Sequence, residues 1–505
     1  NLARLGDMNQ NLYPAFAEVF SDHLAAPVLH LDDGTVIDYA TLDAMSARYA
    51  NLLLALGAET GDRVTVQCDK SVETLWLYLG TIRAGLVYHP LNNAYQENEL
   101  AYFLSNAAPR IVVGDSTTLP TLKQLAAADA TVISLPALAE RATAASDQFQ
   151  TVTSDAADLA ALLYSSGTTG VPKGIMLTHG NLASNARTLV ESWGFTRDDV
   201  LLHALPIFHV HGLFVGISCV LMSGAAMVWQ NGFSAAAVTA ALPGCSVMMG
   251  VPTYYTRLLG YNEFNAAQCD SMRLFISGSA PLLPETFESF EQRTGHRILE
   301  RYGMTETGMN TSNPLAGERI AGTVGPALPG VEIRVTDKDN NPLPAGEIGA
   351  VQVRGDNVFK GYWKLPEKTA EDFTDDGFFN TGDQGVIDTS GYLSIIGREK
   401  DMVISGGLNI YPKEIELLID QQPGVAESAV FGVPHPDFGE GVVAAIVESS
   451  QGTLNQDAII SALKASIAAF KVPKAVVFVD ELPRNTMGKV QKKQLRDTYN
   501  DLLSG

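Results

Sequence analysis

A loop of small hydroxylated residues ends at a single lysine in the segment YSSGTTGVPKGIML, residues 164–177. Backbone N–H groups in such a run can form a concave anion-binding site, and Lys173 would add a positive charge. The loop is not a nucleotidase P-loop, which requires a Gly-Lys pair followed by Ser or Thr. A flexible Ser/Gly connector would have a similar composition. The candidate phosphate-binding residues are Ser165, Ser166, Gly167, Thr168, Thr169, Gly170 and Lys173.

Three further clusters combine polar side chains with turn residues. RYGMTET, at 301–307, places an aromatic ring, a hydroxyl and a carboxylate close together. Asp383 and Arg398 are predicted to stand at strand ends, and Lys489 stands in a glycine-led turn before a helix, where Lys492 and Lys493 are expected to be exposed. Turn capping or core packing could explain each cluster on its own.

The composition indicates a globular protein of two or more domains, since the chain has 505 residues with 46% hydrophobic and 18% charged. A net charge of -22 disfavours binding to nucleic acids or anionic membranes. No signal peptide pattern is evident. The spacing of the cysteines suits neither a metal site nor a disulfide framework, which predicts reduced thiols and a cytoplasmic location. They are Cys68, Cys219, Cys245 and Cys269.

Short apolar runs alternate with amphipathic segments along the first 320 residues, as in RVTVQC before SVETLWLYLG and RLFISGSA before PETFESFEQRTG. This order predicts an α/β fold with mainly parallel sheets. The uncharged stretch 212–229 is interpreted as a buried helix and strand rather than a membrane span, because no basic residues flank it. A small β-rich subdomain is predicted after residue 320. We expect a large N-terminal domain, 1–397, and a small mobile α+β C-terminal domain, 398–505.

The motifs YSSGTTGVPKGIMLTHGNL, RYGMTET, TGD, GREKDMVISGGLNIYPKEIE and PRNTMGK resemble, in order and spacing, those of the acyl-adenylate-forming superfamily. The resemblance covers nearly the whole chain. Within the superfamily, PIFHVHGLF and GVPTYYTRLL look most like acyl-CoA synthetases that act on malonate. The resemblance implies that a carboxylate attacks the α-phosphate of MgATP and releases pyrophosphate. The thiol of coenzyme A then attacks the acyl carbon and releases AMP.

The resemblance also implies a role for each matching residue. Lys489 would bridge the substrate carboxylate and the α-phosphate, Thr305 would contact the α-phosphate, and Glu306 would hold Mg²⁺. Lys400 would be the hinge of the C-terminal domain. The other nucleotide-binding residues would be Gly278, Ser279, Ala280, Tyr302, Gly303, Met304, Asp383 and Arg398, while Gly406 and Gly407 would lie beside coenzyme A.

A malonate-sized acid has a second carboxylate, and substrate choice depends on which residue of the pocket binds it. Arg257 is a candidate because its guanidinium can bind a carboxylate through two hydrogen bonds. His209 is a second candidate, although the matching histidine can also serve as a wall of the pocket, and Ser279 could add a donor. Val210 stands where the malonate enzymes usually have threonine, so malonate and methylmalonate both stay open. Val210 and Met304 are expected to face the α-carbon of the acid.

Three other functions would be compatible with parts of this sequence. Arg257 argues against a CoA ligase for an uncharged acyl chain. An adenylation enzyme that loads a carrier protein is less expected, because the sequence shows no carrier domain after the Lys489 motif. A non-catalytic nucleotide-binding regulator would be expected to have lost Lys173, Glu306 or Lys489, and all three are present. The expected partners are small molecules, and no oligomeric state is predicted.

Overall fold

A computed structural model describes residues 9–165, 172–405, 408–436, 438–450, 452–467, 469–485 and 488–504. Its strands are β1 (Pro27–Leu31), β2 (Val36–Asp38), β3 (Arg63–Gln67), β4 (Val87–Pro90), β5 (Ile111–Gly114), β6 (Thr131–Ser134), β7 (Leu159–Tyr164), β8 (Gly174–Thr178), β9 (Val200–His203), β10 (Ala226–Trp229), β11 (Val247–Gly250), β12 (Leu274–Ser277), β13 (Leu299–Met304), β14 (Gly308–Ser312), β15 (Val331–Thr336), β16 (Gly349–Gly355), β17 (Gly361–Tyr362), β18 (Phe379–Ile387), β19 (Leu393–Arg398), β20 (Val403–Ser405), β21 (Leu408–Ile410), β22 (Val425–His435), β23 (Gly439–Glu448) and β24 (Ala475–Phe478).

Its α-helices are α1 (Leu12–Phe20), α2 (Tyr39–Ala55), α3 (Val72–Arg83), α4 (Glu97–Ala107), α5 (Leu119–Leu125), α6 (Leu135–Thr143), α7 (His179–Ser192), α8 (Ile217–Ser223), α9 (Ala235–Ala241), α10 (Pro252–Leu259), α11 (Pro284–Thr294), α12 (Pro366–Asp372), α13 (Pro412–Asp420), α14 (Gln456–Lys464) and α15 (Lys492–Thr498). A π-helix, His211–Gly216, leads directly into α8. The uncharged stretch 212–229 is therefore a buried helical segment followed by β10, as predicted.

The described residues group into two compact units, Asn1–Glu332 with Arg354–Phe373, and Ile333–Val353 with Thr374–Gly505. The second unit includes the β-rich segment that we assigned to the N-terminal domain. This grouping reflects which residues pack together and does not test where a hinge lies. The boundary at 397/398 therefore stays a prediction.

The first unit contains two large sheets, with strand orders β14-β13-β12-β11-β9-β10-β1-β2 and β17-β8-β7-β4-β3-β5-β6. Strands β1, β10, β9, β11, β12 and β13 run parallel, and helices connect most of them along the chain. Large side chains fill the core beside β11 and β12, among them Met248, Tyr255, Phe275 and Phe290. This confirms the predicted α/β class.

The second unit contains an antiparallel sheet, β15-β16-β18-β19, and a separate sheet of β21, β20, β23 and β22 with β24 added beside β23. Helices α13 and α14 bury apolar side chains against the latter sheet, including Ile415, Ile419 and Leu463. A β-rich part and an α+β part were both predicted. Strand β19 ends at Arg398, and a short 3₁₀ helix, Glu399–Asp401, follows it directly.

No helix in the described part of the chain is long and apolar enough to cross a membrane. All four cysteines are free and buried, in agreement with the predicted reduced thiols. The cytoplasmic location stays a prediction.

One ion pair with a buried carboxylate joins the amino ends of three neighbouring parallel strands. Asp199, Ser246 and Arg273 directly precede β9, β11 and β12. The Arg273 guanidinium donates to both carboxylate oxygens of Asp199, at 2.7 and 2.9 Å, and the Ser246 hydroxyl donates to the same carboxylate at 2.7 Å. Burial alone would raise the pKa of Asp199, but these hydrogen bonds outweigh it and hold the pKa below its ordinary value.

Replacing Arg273 with leucine should lower the free energy of unfolding by about 3 kcal/mol, because the Asp199 carboxylate would remain buried without its cation. Urea unfolding checks this. Arg197→Leu is the matched control, because Arg197 pairs with Asp22 where both side chains are at least half exposed, at 50% and 68%. The control should change stability little. Equal effects of the two substitutions would contradict the proposed importance of the buried pair.

Candidate active site

The loop with the lysine joins antiparallel strands β7 and β8. At its base, the Ser165 N–H donates to the Lys173 carbonyl at 2.9 Å, and the Lys173 N–H donates to the Ser165 hydroxyl at 3.0 Å. The Lys173 ammonium lies 5.5 Å from the centre of the Tyr362 ring. The two strands thus fix both ends of the loop, while Ser166, Gly167, Thr168, Thr169 and Gly170 lie outside the described residues.

Thr305 and Glu306 lie in the tight turn between β13 and β14. The Glu306 carbonyl accepts from the Phe359 N–H at 2.7 Å. On the other side of the turn, Asn185 of α7 donates to the Met309 carbonyl and accepts from the Met309 N–H, both at 3.0 Å. Segments distant in sequence therefore hold this turn in place.

A second segment supports the same hairpin. The Asn357 amide donates to the Thr307 carbonyl at 2.8 Å and to the Asn310 side chain at 3.1 Å. Gly303 must lack a side chain here, because a Cβ atom would stand 2.2 Å from the Gly308 carbonyl oxygen. The half-buried side chains of Tyr302 and Met304 belong to the same strand, β13.

The loop after β12 contains Gly278, Ser279 and Ala280. Ser279 has a φ of +74°, a conformation that residues other than glycine adopt at a cost and that is often found at functional sites. Its hydroxyl lies 3.2 Å from Nδ1 of His211. Burial, with a further contribution from the Arg301 charge, holds the pKa of His211 well below its ordinary value, so this imidazole is neutral at pH 7.

A second buried histidine positions the π-helix that carries His211. Burial keeps the pKa of His203 well below its ordinary value, so the ring is neutral. Its Nε2 donates to the Gly212 carbonyl at 2.8 Å, since a carbonyl can only accept, and its Nδ1 therefore accepts from Nζ of Lys70 at 2.8 Å. A Cβ atom on Gly212 would stand 2.1 Å from the Pro206 carbonyl oxygen. π-Helical segments are frequently found at functional sites.

Val210 and Thr305 line the same cavity. Val210 and Met304 were both predicted to face the substrate, and the cavity brings Val210 to the turn that carries Thr305. Met304 directly precedes that turn but is not among the residues that line the cavity. The other lining residues are Leu177, Asn181, Leu182, Asn185, Phe214, Gly308 and Asn357.

The two predicted basic contacts of the substrate differ in exposure. Arg257 is exposed in the last turn of α10, whose buried side chains are Tyr255 and Leu258. His209 is half-buried, and its ring lies 4.7 Å from the ring of Phe208. Neither position tests the proposed contact with a carboxylate, so both assignments stay predictions.

In the second unit, Asp383 and Arg398 lie directly opposite each other on β18 and β19. Asp383 is buried, and its carboxylate accepts from Nε of Arg398 at 2.8 Å. The Asp383 N–H donates to the Thr381 hydroxyl at 3.1 Å. The predicted ribose-binding pair is therefore a preformed ion pair on a rigid hairpin.

Lys489 lies in a tight turn of the second unit. Its N–H donates to the Asn485 side chain at 2.9 Å, and Gly488 supplies a φ of +78°. The Lys489 side chain is exposed. Lys492 and Lys493 were both predicted to be exposed. The prediction was wrong for Lys492, which is mostly buried and pairs with Glu416 at 2.5 Å, and it is confirmed for Lys493.

The predicted hinge, Lys400, lies in the 3₁₀ helix after β19, where burial of its ammonium is the main reason that its pKa lies below the ordinary value. The neighbouring Asp401 pairs with Arg496 at 3.0 Å. Gly406 and Gly407, the predicted coenzyme A contacts, lie outside the described residues.

The described residues include no group of three or more His, Cys, Asp or Glu side chains able to hold a metal ion. Mg²⁺ in nucleotide-dependent enzymes typically uses one or two carboxylates together with phosphate oxygens and water. Glu306 and Thr305 stand side by side in one turn and supply one carboxylate and one hydroxyl oxygen. This donor set fits a Mg²⁺ ion that binds together with the phosphates.

Sequence reasoning missed Asn185, Asn357 and Arg301. The two asparagines hold the turn from distant segments, and their sequence surroundings carry no signal of that contact. Arg301 stands inside the quoted motif RYGMTET, but the side of the strand that it faces could not be read from the motif. It is 3% exposed.

Comparison with known proteins identifies AMP-binding enzymes over residues 15–363 and the C-terminal domain of AMP-binding enzymes over residues 414–489. The crystal structure of ATP-bound MatB from Rhodopseudomonas palustris superposes with a TM-score of 0.96, at 52% identity over 98% of this chain and 100% of that one.

Two further relatives carry substrate names. The malonate–CoA ligase of Arabidopsis thaliana is 35% identical over 523 residues, which cover 93% of this chain and 86% of the relative. The sulfoacetate–CoA ligase of Cupriavidus necator is 35% identical over 483 residues, which cover 93% of this chain and 94% of the relative.

Replacing Asn185 with leucine should lower the free energy of unfolding by about 2–4 kcal/mol, because the N–H and C=O of Met309 would lose their buried partner. Amide hydrogen exchange should rise in residues 305–309. The matched control is Asn51→Leu, because the Asn51 amide also makes two hydrogen bonds to backbone carbonyls, but at the surface. Unchanged exchange at 305–309 in Asn185→Leu would show that Asn185 does not hold the turn.

Proposed function

The chain belongs to the AMP-binding enzyme family, and we propose that it is a ligase that joins malonate to coenzyme A, with ATP as the energy source and an acyl-adenylate as the intermediate. The products are malonyl-CoA, AMP and pyrophosphate. The observation that carries this proposal is the likeness to ATP-bound MatB and to a malonate–CoA ligase over nearly the whole chain. The cavity that joins the acid-pocket motif to the Thr305 turn agrees with it.

Adenylation brings two anions together, so it requires fixed positive charge and hydrogen-bond donors at the reacting atoms. Lys489 supplies the positive charge in this step, and the Thr305 hydroxyl donates to the α-phosphate. The hydrogen bonds from Asn185, Asn357 and Phe359 hold the Thr305 turn before substrate binds, so that little reorganisation is needed. Glu306 would hold Mg²⁺, which would offset the phosphate charge.

The remaining nucleotide contacts follow from the rigid elements already described. The loop from Gly278 to Ala280 and the ring of Tyr302 hold adenine, and Asp383 with Arg398 binds the ribose hydroxyls. The loop from Ser165 to Lys173 holds the β- and γ-phosphates. Because pyrophosphate leaves in every turnover, this loop has to release its anion each time.

Thioester formation requires the thiol of coenzyme A to attack the acyl carbon, with AMP as the leaving group. Gly406 and Gly407 let the pantetheine arm pass close to the backbone, and Lys400 is the hinge for the change between the two steps. These assignments rest on the family resemblance.

A second candidate substrate is sulfoacetate, which one relative uses according to its name. Sulfoacetate and malonate each carry a second anionic group next to the carbon that bears the reacting carboxylate. A basic residue in the pocket would suit either acid. The preference for malonate rests on the likeness to MatB and to the plant malonate ligase.

Pyrophosphate release with a panel of acids, with and without coenzyme A, tests the function. We expect release with malonate and thioester formation only with coenzyme A. Lys489→Ala should slow adenylation by about 10²–10³-fold, because it removes one electrostatic stabiliser. It should spare thioester formation from supplied malonyl-adenylate much more.

Lys493→Ala is the matched control, since Lys493 is exposed on α15, four residues from Lys489. It should leave both steps unchanged. Absence of malonate-dependent pyrophosphate release in wild type would overturn the proposed function. Equal losses in the two steps for Lys489→Ala would overturn only the assignment of this lysine.

Val210→Ala should raise kcat/KM for ethylmalonate relative to malonate by about 10-fold or more, because one methylene in an apolar pocket changes kcat/KM about 10–200-fold. Trimming Met304 to alanine should act in the same direction, because Met304 directly precedes the turn whose Thr305 lines the cavity, and the two changes should be non-additive if both side chains contact the α-substituent. The control is Val215→Ala, because Val215 is buried in the π-helix but does not line the cavity. An unchanged order of malonate, methylmalonate and ethylmalonate in all variants would place the α-carbon elsewhere.

A further inference from the structure

Arg301 is a buried arginine with unsatisfied hydrogen-bond donors. Its side chain lies on β13 and is 3% exposed. Its Nε and Nη2 atoms are buried and have no hydrogen-bond partner among the described residues. An unpaired buried cation is costly and rare in proteins, so its presence calls for a ligand.

Arg83, the other arginine that is buried in the described part of the chain, shows the usual arrangement. Its Nη1 atom lies 3.1 Å from the Asp43 carboxylate and 2.9 Å from the Ser46 hydroxyl. Its Nη2 atom donates to the Phe149 carbonyl at 2.8 Å. Nε of Arg83 also lacks a partner, so Arg301 differs from Arg83 in having a second unsatisfied nitrogen, Nη2, and no carboxylate partner among the described residues.

The ionisable side chains that interact with the Arg301 charge do not supply a negative charge. Burial raises the pKa of Tyr255 and of Cys219 far above neutrality, and the Tyr255 hydroxyl already donates to the Ile276 carbonyl at 2.5 Å. His211 is neutral. Burial lowers the pKa of Arg301 to about 10, which still leaves the guanidinium protonated at pH 7.

The guanidinium lies against the loop that follows β12. A Cβ atom on Gly278 would stand 2.2–2.5 Å from three guanidinium atoms, so only glycine permits this approach. The adjacent residue, Ser279, contacts His211, whose Nε2 atom is also buried without a partner in the described residues. The unsatisfied groups of Arg301 and His211 thus belong to the same part of the first unit as the predicted acid pocket.

The alternation of side chains along a strand separates Arg301 from the neighbouring carboxylate. Glu300 and Arg301 are consecutive in β13, so their side chains point to opposite faces of the sheet. One carboxylate oxygen of Glu300 accepts from the Leu282 N–H at 3.1 Å. Glu300 is therefore engaged on the other face and does not neutralise Arg301.

We propose that Arg301 binds the second carboxylate of malonate and thereby selects a dicarboxylate over a monocarboxylic acid. This inference rests on the proposed function and extends it to the residue that determines specificity. A guanidinium can donate two parallel hydrogen bonds to one carboxylate, and the contact would neutralise a buried positive charge. A monocarboxylic acid of the same size leaves the Arg301 charge buried and unpaired. Arg257 is exposed and has no comparable need for an anion.

The test compares Arg301→Met and Arg301→Lys with wild type, using ATP–pyrophosphate exchange with malonate, sulfoacetate, propionate and butyrate. Arg301→Met should lower kcat/KM for malonate by about 10⁴-fold, the loss expected when a site built on polar pairing loses one partner. Exchange with propionate or butyrate should hold or rise. Arg301→Lys should retain more malonate activity than Arg301→Met, because it keeps the charge.

Thermal unfolding separates this role from a structural one. Without substrate, Arg301→Met should unfold at or above the temperature of wild type, because it removes an unpaired buried charge. Addition of malonate with ATP should stabilise wild type more than this variant. A clear fall in the unfolding temperature of substrate-free Arg301→Met would show that Arg301 is paired within the protein and would overturn the inference.

Arg297→Met is the matched control, because Arg297 lies just before β13 in a half-exposed pair with Glu291. It should leave all four acids unchanged. Arg257→Met tests the competing assignment, and a selective loss of malonate activity in that variant but not in Arg301→Met would overturn the inference. If wild type accepts sulfoacetate but not malonate, the proposed function fails, while a selective loss of sulfoacetate activity in Arg301→Met would still support Arg301 as the anion-binding residue.

Discussion

Parallel pairing of β9, β11, β12 and β13 is the constraint on which the acid-binding half of the protein depends. Parallel strands place all their amino ends at one edge of a sheet and all their carboxyl ends at the other. The stabilising pair of Asp199 and Arg273 lies at the first edge. The segments that carry His211, Ser279 and Thr305 follow strand ends at the second edge. One sheet thus separates the groups that hold the fold from the groups that would act on substrate.

The arginines at the two edges of the sheet differ in whether a carboxylate pairs with them. Arg273 meets a carboxylate at 2.7 Å, and removal of either partner would leave a buried charge unpaired. Arg301 has two buried nitrogens without a partner among the described residues. A fold can tolerate such a group because the rest of the sheet is well packed, as the buried side chains of Tyr255 and Phe275 show. In the role proposed for Arg301, an anion bound there would offset the cost of burying these two nitrogens.

The sequence predicted the α/β class, the order of strands and helices, and the buried nature of 212–229, because all of these depend on local periodicity. It also predicted that polar loops follow β7 and β12. It could not predict that Asn185 of α7 would hold the Thr305 turn, since that contact joins residues 124 positions apart. The exposure of Lys492 was mispredicted for the same reason, because its partner Glu416 is 76 positions away. Arg301 belongs to a motif that the sequence shows, but only the folded structure shows that two of its nitrogens are buried without a partner among the described residues.

The placement of the cations follows from what each must do during turnover. In the proposed reaction, the second carboxylate of malonate takes no part in bond formation, so its contact can persist through both steps. A cation on β13, which is paired with a strand on each side and has Gly278 packed against it, suits such a fixed contact. The role proposed for Lys489 belongs to adenylation alone, and its side chain is exposed in a short turn. Under this proposal, specificity would come from a side chain on the sheet, whereas the charge needed for adenylation would come from an exposed side chain. An uncharged acid would gain the apolar contacts of the cavity and still leave Arg301 unpaired, so the preference arises as much from rejecting the wrong acid as from holding the right one.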